Sequence, residues 1–370
     1  MAVEIRELAE KDLGAFIDYP YDLFRGHRFW AGDLKRDVRH LLETGHPFWR
    51  HGERALFMAY RDGRPAGRIA AIVNHAHNNF HGDKTGFFGF FDCSEDKEAA
   101  EGLFAAAGAW LKTRGMDSVL GPVNPSTNET CGMLAEGFDF PPMVMMPWNP
   151  PYYLQLTQAA GFAKAKDLYA YKCETSIPFP ERFEKIIARM NRDGKVTLHF
   201  ADVKSIDKAI DEVKDVYNAA WEKNWGFVPM TAEEMDDLAK ALKPMLKPDY
   251  LYFARYEGRP AGFVLLLPDF NIALKRVNGA LGPLNILPFL YRFLFRLDRG
   301  RMLTLGVKKE FRGKGIELLL IKQAIAAAKK MGWKYGELSW TLEDNDLINN
   351  TIEAVGGEVY RKYRLYEKKL

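Results

Sequence analysis

"MAYRDGRPAGRIA" (Met58–Ala70) and "FARYEGRPAGFVL" (Phe253–Leu265) contain the same five residues, GRPAG, at Gly63–Gly67 and again at Gly258–Gly262. In each, a Gly-Arg-Pro turn separates two apolar runs. Glycine admits positive φ and proline fixes the re-entry of the chain, so each stretch predicts a β-hairpin. The copies lie 195 residues apart. The same offset lays "VEIRELAEKD" over "LHFADVKSID", with Ile5 over Phe200 and Asp12 over Asp207, a strand followed by a helix start. It also lays Ala159 and Gly161 over Ala354 and Gly356, and Tyr171 over Tyr366. Shared markers at the front, middle and end of one register predict a duplicated domain.

Length agrees, because 370 residues exceed what one core usually supports. The register predicts a first domain over residues 1–180, a linker over 181–195 around "IPFPERFEKIIARMNRDGK", and a second domain over 196–370. A chain 47% hydrophobic and 27% charged, without an apolar run near the 18 residues of a spanning helix, reads as globular and not membrane-spanning. No basic stretch, apolar stretch and cleavage site follow the first Met, and Cys93, Cys131 and Cys173 lack metal spacing. A cytoplasmic location is therefore expected. A net charge of +3 is too mild to argue for nucleic acid.

The second copy carries the chemistry. "GRMLTLGVKKEFRGKGIELLLIKQAIAAAKK" (Gly300–Lys330) predicts a strand, a basic glycine loop and a long helix from about Ile316. Backbone N–H groups and the helix dipole converge at such a junction, which favours an anion, and Lys308, Lys309, Arg312 and Lys314 add charge. The loop has neither the span nor the Lys-Ser/Thr ending of a triphosphate loop, and it is not a dinucleotide turn. The expected ligand still carries phosphate.

"LGVKKEFRGKGI" resembles the pyrophosphate loop of the GNAT acyltransferases, in which Arg or Gln is followed by two residues, Gly, one residue, and Gly or Ala. Arg312 and Gly315 fit that pattern, while Glu317 stands where the last small residue is usual. "SWTLEDNDLINNTIEAVGGEVYRKYRLYEK" resembles the family's last strand and helix, with Asn345 at the usual Asn, and Ile352 where a Tyr general acid is common. Together with "AAWEKNWGFVPMTAEEM", "LPDFN", "TGFFGFFDC", "GPVNPSTN" and "PPYYLQLTQAAGF", these stretches resemble the tandem GNAT proteins of the bacterial ceramide synthase-like group. The resemblance implies an α/β fold with a mixed sheet in each of two tandem GNAT domains. It implies acyl-CoA as co-substrate, held by Leu305, Gly306, Val307, Arg312, Gly313, Lys314, Gly315, Ile316 and Asn345. It implies transfer of the acyl group to a primary amine, including a sphingoid-type lipid amine. No metal is called for. Rival readings are a Fem-like aminoacyl transferase and a non-catalytic acyl-CoA binding protein.

The base is open among several residues. Glu337 and Glu343 flank the strand opposite the loop and are suited to accept an ammonium proton. In the first copy, "NHAHNNFH" places His75 and His77 on one face of an extended segment, and His77 is a further catalytic candidate. Where the second copy has its basic loop, the first has Asp92, Glu95, Asp96 and Glu98 against Lys97, which would repel a diphosphate. Its "GPVNPSTNETCGMLAEGFDFPPMVMMPWNPP" is expected either to shape the acceptor site or to serve as a structural loop. The second copy's extra segment, "PDFNIALKRVNGALGPLNILPFLYRFLFRLDRG", predicts a basic amphipathic helix. Phe289, Leu290, Phe293, Leu294 and Leu297 lie at helical spacing, and Arg292, Arg296 and Arg299 form a second stripe. Residues 285–299 are thus a candidate for peripheral contact with the inner membrane surface, a cover over an acyl chain, or ordinary packing. Oligomeric state is not read from the sequence.

Overall fold

The structure is a computed structural model and describes residues 2–201, 206–221 and 224–370. Residues 202–205 of "LHFADVKSID", the side chain of Asp207, and residues 222 and 223 of "AAWEKNWGFVPMTAEEM" lie outside the described set.

The chain opens with β1 (Val3–Glu7), α1 (Leu13–Leu23) and α2 (Lys35–Leu42), then the hairpin β2 (Gly52–Arg61) and β3 (Arg64–Asn74). Next come α3 (His75–His81), β4 (Thr85–Cys93), α4 (Lys97–Thr113) and β5 (Ser118–Gly121). The short strands β6 (Val123–Asn124), β7 (Thr130–Cys131) and β8 (Met133–Glu136) precede α5 (Tyr152–Ala159) and β9 (Ala163–Glu174). The second copy begins at α6 (Glu181–Arg192), followed by β10 (Val196–Phe200), α7 (Ile206–Trp221) and α8 (Ala232–Leu242). Its hairpin is β11 (Leu251–Tyr256) and β12 (Arg259–Pro268), after which α9 (Asn271–Leu274) and α10 (Ile286–Phe295) interrupt the repeat. It ends with β13 (Arg299–Val307), α11 (Ile316–Lys330), β14 (Tyr335–Leu342), α12 (Asp346–Ala354) and β15 (Gly357–Lys369).

The two hairpins are the same object. Asp62 and Gly63 have φ of 54° and 76°, and Glu257 and Gly258 have 49° and 79°. Two successive left-handed residues make the tight turn whose twist matches the flanking strands, and glycine accepts the second position without strain. Each hairpin also carries a register shift at the same place, between Ala59 and Tyr60 and between Ala254 and Arg255. The turn therefore falls one residue earlier than Gly-Arg-Pro, and Arg64 and Arg259 already belong to the returning strands. The first strand corrects the single offset. Val3 pairs with Arg61 while Val196 pairs with Tyr256, so Leu198, not Phe200, takes the place of Ile5. A slip of two residues keeps the same side chains on the same face, which is why it is tolerated.

The chain forms two compact units. One comprises residues 1–168, 270–296 and 361–370; the other comprises 169–269 and 297–360. In the first unit, β1, β2 and β3 run antiparallel, β4 follows, and β5 is parallel to β4. The last residues of β15 pair with β5, from Tyr366 opposite Gly121 to Lys369 opposite Ser118. Its core gathers Phe88, Phe91, Leu103, Phe104, Val119 and Tyr153 beneath α4 and α5. In the second unit, β10 to β13 are antiparallel and β14 is parallel to β13. Helix α11 covers one face, with Ile316, Leu320 and Ala324 packed against Val264, Leu266 and Val307. Helix α7 covers the other, with Val216 and Ala220 against Phe253 and Phe263. Ile187 and Met190 of α6 join the α11 layer, so this segment is a packed helix of the second unit.

Candidate active site

The parallel strands β13 and β14 pair only from Arg299–Tyr335 to Met302–Leu338, although β13 continues to Val307 and β14 to Leu342. The parting begins at a bulge. Leu265 pairs with Thr304 and Leu266 with Met302, so Leu303 is an extra residue in β13. A bulge bends its strand and increases local twist, which turns the end of β13 away from β14. Beyond it, Lys308 N–H donates to Ala261 O at 2.9 Å. Because backbone groups alternate sides along a strand, the N–H groups of Leu305 and Val307 face the open, β14 side of the fork.

The glycine loop lies at the end of β13. Gly313 and Gly315 both have left-handed φ, 72° and 84°, and Gly315 caps α11 without a side-chain bond. The first helical bond is Leu319 N–H to Gly315 O, leaving the N–H groups of Ile316, Glu317 and Leu318 directed out of the helix end. A Cβ on Gly315 would meet Ile186 at 3.2 Å as well as strain the backbone. Arg312 serves the loop differently from the expected direct charge contact. Its guanidinium donates to Val307 O at 3.2 Å and to Ala220 O at 2.5 Å, tying the loop to β13 and α7. Lys308 is paired with Asp215 at 2.8 Å.

The first copy shows the same junction closed. Only Ser94–Asp96 separate β4 from α4, whereas Lys308–Gly315 separate β13 from α11. Asp96 caps α4 by accepting from Ala99 N at 3.1 Å, and Arg61 neutralises it through an ion pair. A carboxylate of the chain thus occupies the place an anionic ligand would take. Asp92 is half-buried and paired with Arg68 at 2.7 Å, and desolvation raises its carboxyl above the ordinary range despite that partner.

At the base of the fork lies a polar cluster that sequence reasoning named only through Glu337. Glu337 is fully buried; Ser339 Oγ donates to its Oε1 at 2.5 Å and the Tyr360 hydroxyl donates to its Oε2. Arg301 stands opposite Glu337 in register, with 3.9 Å between Nε and the carboxylate, and donates to Ser339 Oγ and Ser339 O at 2.8 and 3.1 Å. The equivalent pair in the first copy is Phe87 opposite Leu120. Charged residues inside otherwise apolar strands were the available signal. Glu343 is half-buried in the turn after β14, and Asn345 begins α12 without a side-chain capping bond. Loop, fork and this turn all gather at the carboxyl ends of two parallel strands, where ligands of α/β sheets bind. Ile352 is buried in the core with Tyr171, Ile321 and Leu338 and has no acid to offer.

Trp221 was not foreseen. A Cβ built on Gly306 would lie 2.2 Å from its ring, so the end of α7 rests directly on the strand at this glycine. Tyr217 packs on the same indole at 4.8 Å.

The histidines of the first unit correct an expectation. "HAHNNFH" is the helix α3, not an extended segment, because Asn74 accepts from His77 N and Gly82 ends the turn at φ 68°. Helical spacing puts His77 on His81, with ring centroids 4.3 Å apart, while His75 bonds Glu53 at 2.9 Å. His77 Nε2 lies 3.6 Å from Asp83. Burial, then the His81 charge, lowers the His77 imidazole to about 4.

Strand fork, uncapped helix and glycine loop define an acyltransferase of the GNAT kind, and the chain belongs to that family. The acetyltransferase (GNAT) family model matches residues 210–349. Within the family the chain is similar to the bacterial ceramide synthase of Caulobacter vibrioides (strain NA1000 / CB15N), 36% identical over 336 residues, 89% of this chain and 87% of that one. Protein YghO of Escherichia coli (strain K12) is 32% identical over 369 residues, 98% of this chain and 94% of its own. Among solved structures, a tandem GNAT protein from the clavulanic acid biosynthesis pathway matches in fold with a TM-score of 0.57 at 13% identity, over 99% and 98% of the two chains. The protein is an acyltransferase, and the family's co-substrate is an acyl-CoA.

Proposed function

We propose that the protein transfers a long-chain acyl group from acyl-CoA to a sphingoid-type lipid amine, working at the inner, cytoplasmic membrane surface. The observation that carries acyl transfer is the fork between β13 and β14 with a buried carboxylate at its base and an uncapped helix at its end. The lipid acceptor is supported by the likeness, over most of both chains, to a protein named bacterial ceramide synthase.

Gly313–Ile316 and the α11 N-terminus would hold the pyrophosphate, with Arg312 keeping the loop in shape. Asn345 would bond the pantetheine arm. Acyl-CoA supplies the activated acyl carbon. N–H groups of Leu305 and Val307 polarise its carbonyl. The neutral amine attacks, the C–N bond forms and the C–S bond breaks. The amine's proton passes to Glu337 through Ser339 or Tyr360, or to Glu343, and the departing thiolate takes a proton from Tyr360 or water. A Fem-like reaction would ignore CoA thioesters. Thiol release from acyl-CoA on addition of amines of graded chain length tests the proposal, and equal turnover of every acceptor would remove the lipid assignment.

A further inference from the structure

Helix α10 has two apolar faces, and among the described residues only one is covered. Phe293 stacks on buried Phe270 at 5.3 Å and Phe289 on Phe293 at 5.8 Å, so these phenylalanines face inward. On the other side Leu287, Leu294 and Phe295 are 72%, 59% and 71% exposed, with Leu290 and Tyr291 completing an i, i+3, i+4, i+7, i+8 stripe. Leu284, just before the helix, is 97% exposed. Isolated exposed leucines are ordinary, but a continuous helical stripe marks a docking surface.

Within the segment that carries the stripe the charge has one sign. From Phe270 to Leu297 the chain has no acidic residue and four basic ones, Lys275, Arg276, Arg292 and Arg296. Lys275 donates to the carbonyl of Arg28, in the same unit. Burial, then Arg276 and Arg28, holds the Lys275 amine below the usual lysine range. Arg299, expected in the stripe, is instead in β13 and bonded to the fully buried Asp269 at 2.6 Å. Crowded cations beside exposed aliphatic side chains match a surface that is anionic outside and apolar within.

We propose that the outer face of α10 docks this unit onto an anionic lipid bilayer, with Leu287, Leu294 and Phe295 entering the acyl boundary and Arg276 and Arg296 meeting lipid phosphates. Ten residues of helix span about 15 Å, half the roughly 30 Å hydrocarbon core, so the helix lies in the interface. The inference deepens the lipid-amine reading, since a long-chain amine resides in the bilayer. Its readout needs no turnover.

The test is co-sedimentation of the full chain with vesicles of phosphatidylcholine alone or mixed with phosphatidylglycerol, at low and high salt. Binding is expected only to the mixed vesicles and is weakened by salt. The triple variant Leu287→Ser, Leu294→Ser, Phe295→Ser should lose at least about tenfold in affinity with an unchanged melting temperature. Arg276→Gln with Arg296→Gln should lose about fivefold per charge. Absence of parental binding, or equal binding by the triple variant, would overturn the inference. So would a concentration-dependent dimer that the triple variant abolishes without altering vesicle binding, because a second copy would then cover the stripe. Acyl transfer to a detergent-dispersed amine reports on the enzyme reading separately: its loss with vesicle binding intact would sink that reading alone.

Discussion

Tyr360 donates a hydroxyl hydrogen bond to Oε2 of Glu337, a carboxylate with no exposed surface, and Ser339 Oγ donates to its Oε1. A carboxylate so enclosed can receive an amine's proton only through one of these hydroxyls or after the fork opens to substrate. Glu337→Gln should therefore lower kcat by about 10² to 10⁴ with little change in KM, while Tyr360→Phe should alter the pH profile of kcat. Glu337→Gln keeps an acceptor for Ser339, whereas Glu337→Ala leaves Arg301 buried beside no charge and should cost about 3 kcal/mol or more of stability. Steady-state kinetics on folded Glu337→Gln distinguish a base from a packing group.

The two helix starts predict opposite responses. Gly315→Val adds a branched side chain at left-handed φ and against Ile186, and should abolish acyl-CoA binding. Arg312→Gln removes two bonds to carbonyls and should lower both affinity and melting temperature, by about 1–3 kcal/mol in stability. Asp96→Asn in the first copy keeps a capping acceptor and should leave acyl-CoA affinity alone. Calorimetric titration with a non-hydrolysable acyl-CoA checks all three.

The hairpins and the glycine loop were legible because each depends on residues that few others can replace: consecutive left-handed positions at Gly63 and Gly258, and the Gly313–Gly315 spacing after a strand. Family resemblance carried the reading from an anion loop to acyl-CoA. Of the Arg301–Glu337–Ser339–Tyr360 cluster only Glu337 was legible; its partners were not, since parallel register alone brings together strands separated by a whole helix. Helix α3 was misread because alternation of His75 and His77 suits a strand, while the Asn74 cap and Gly82 stop that make it a helix lie outside the alternation. For α10, periodicity revealed an apolar stripe but not which of two apolar faces Phe270 would cover.

Trp221 on Gly306 should shape the space beside the acyl carbonyl. Gly306→Ala forces the ring away and should destabilise by about 1–3 kcal/mol. Trp221→Ala should shift the ranking of kcat/KM among acyl-CoAs toward longer or bulkier chains. An equal fall at every chain length would mean that the indole only holds α7 in place.

His77 gives a stability term with a defined sign. Its imidazole is lowered from 6.5 to about 4 by burial and by His81. The unfolded chain therefore binds more protons between these values, so this term is fully present above about pH 6.5 and is lost as pH falls toward 4. Removing it with His77→Asn should flatten the pH dependence of unfolding in that window by about 2–3 kcal/mol, read from urea melts at pH 4 to 7.

The central claim is amine-dependent acyl transfer at the β13–β14 fork, and thiol release from a long-chain acyl-CoA measures it most directly. With a sphingoid-type amine present, the parent protein should release one thiol per N-acylated product, and Gly315→Val should release none. Thiol release that is independent of the amine, or that no amine elicits, would contradict the account.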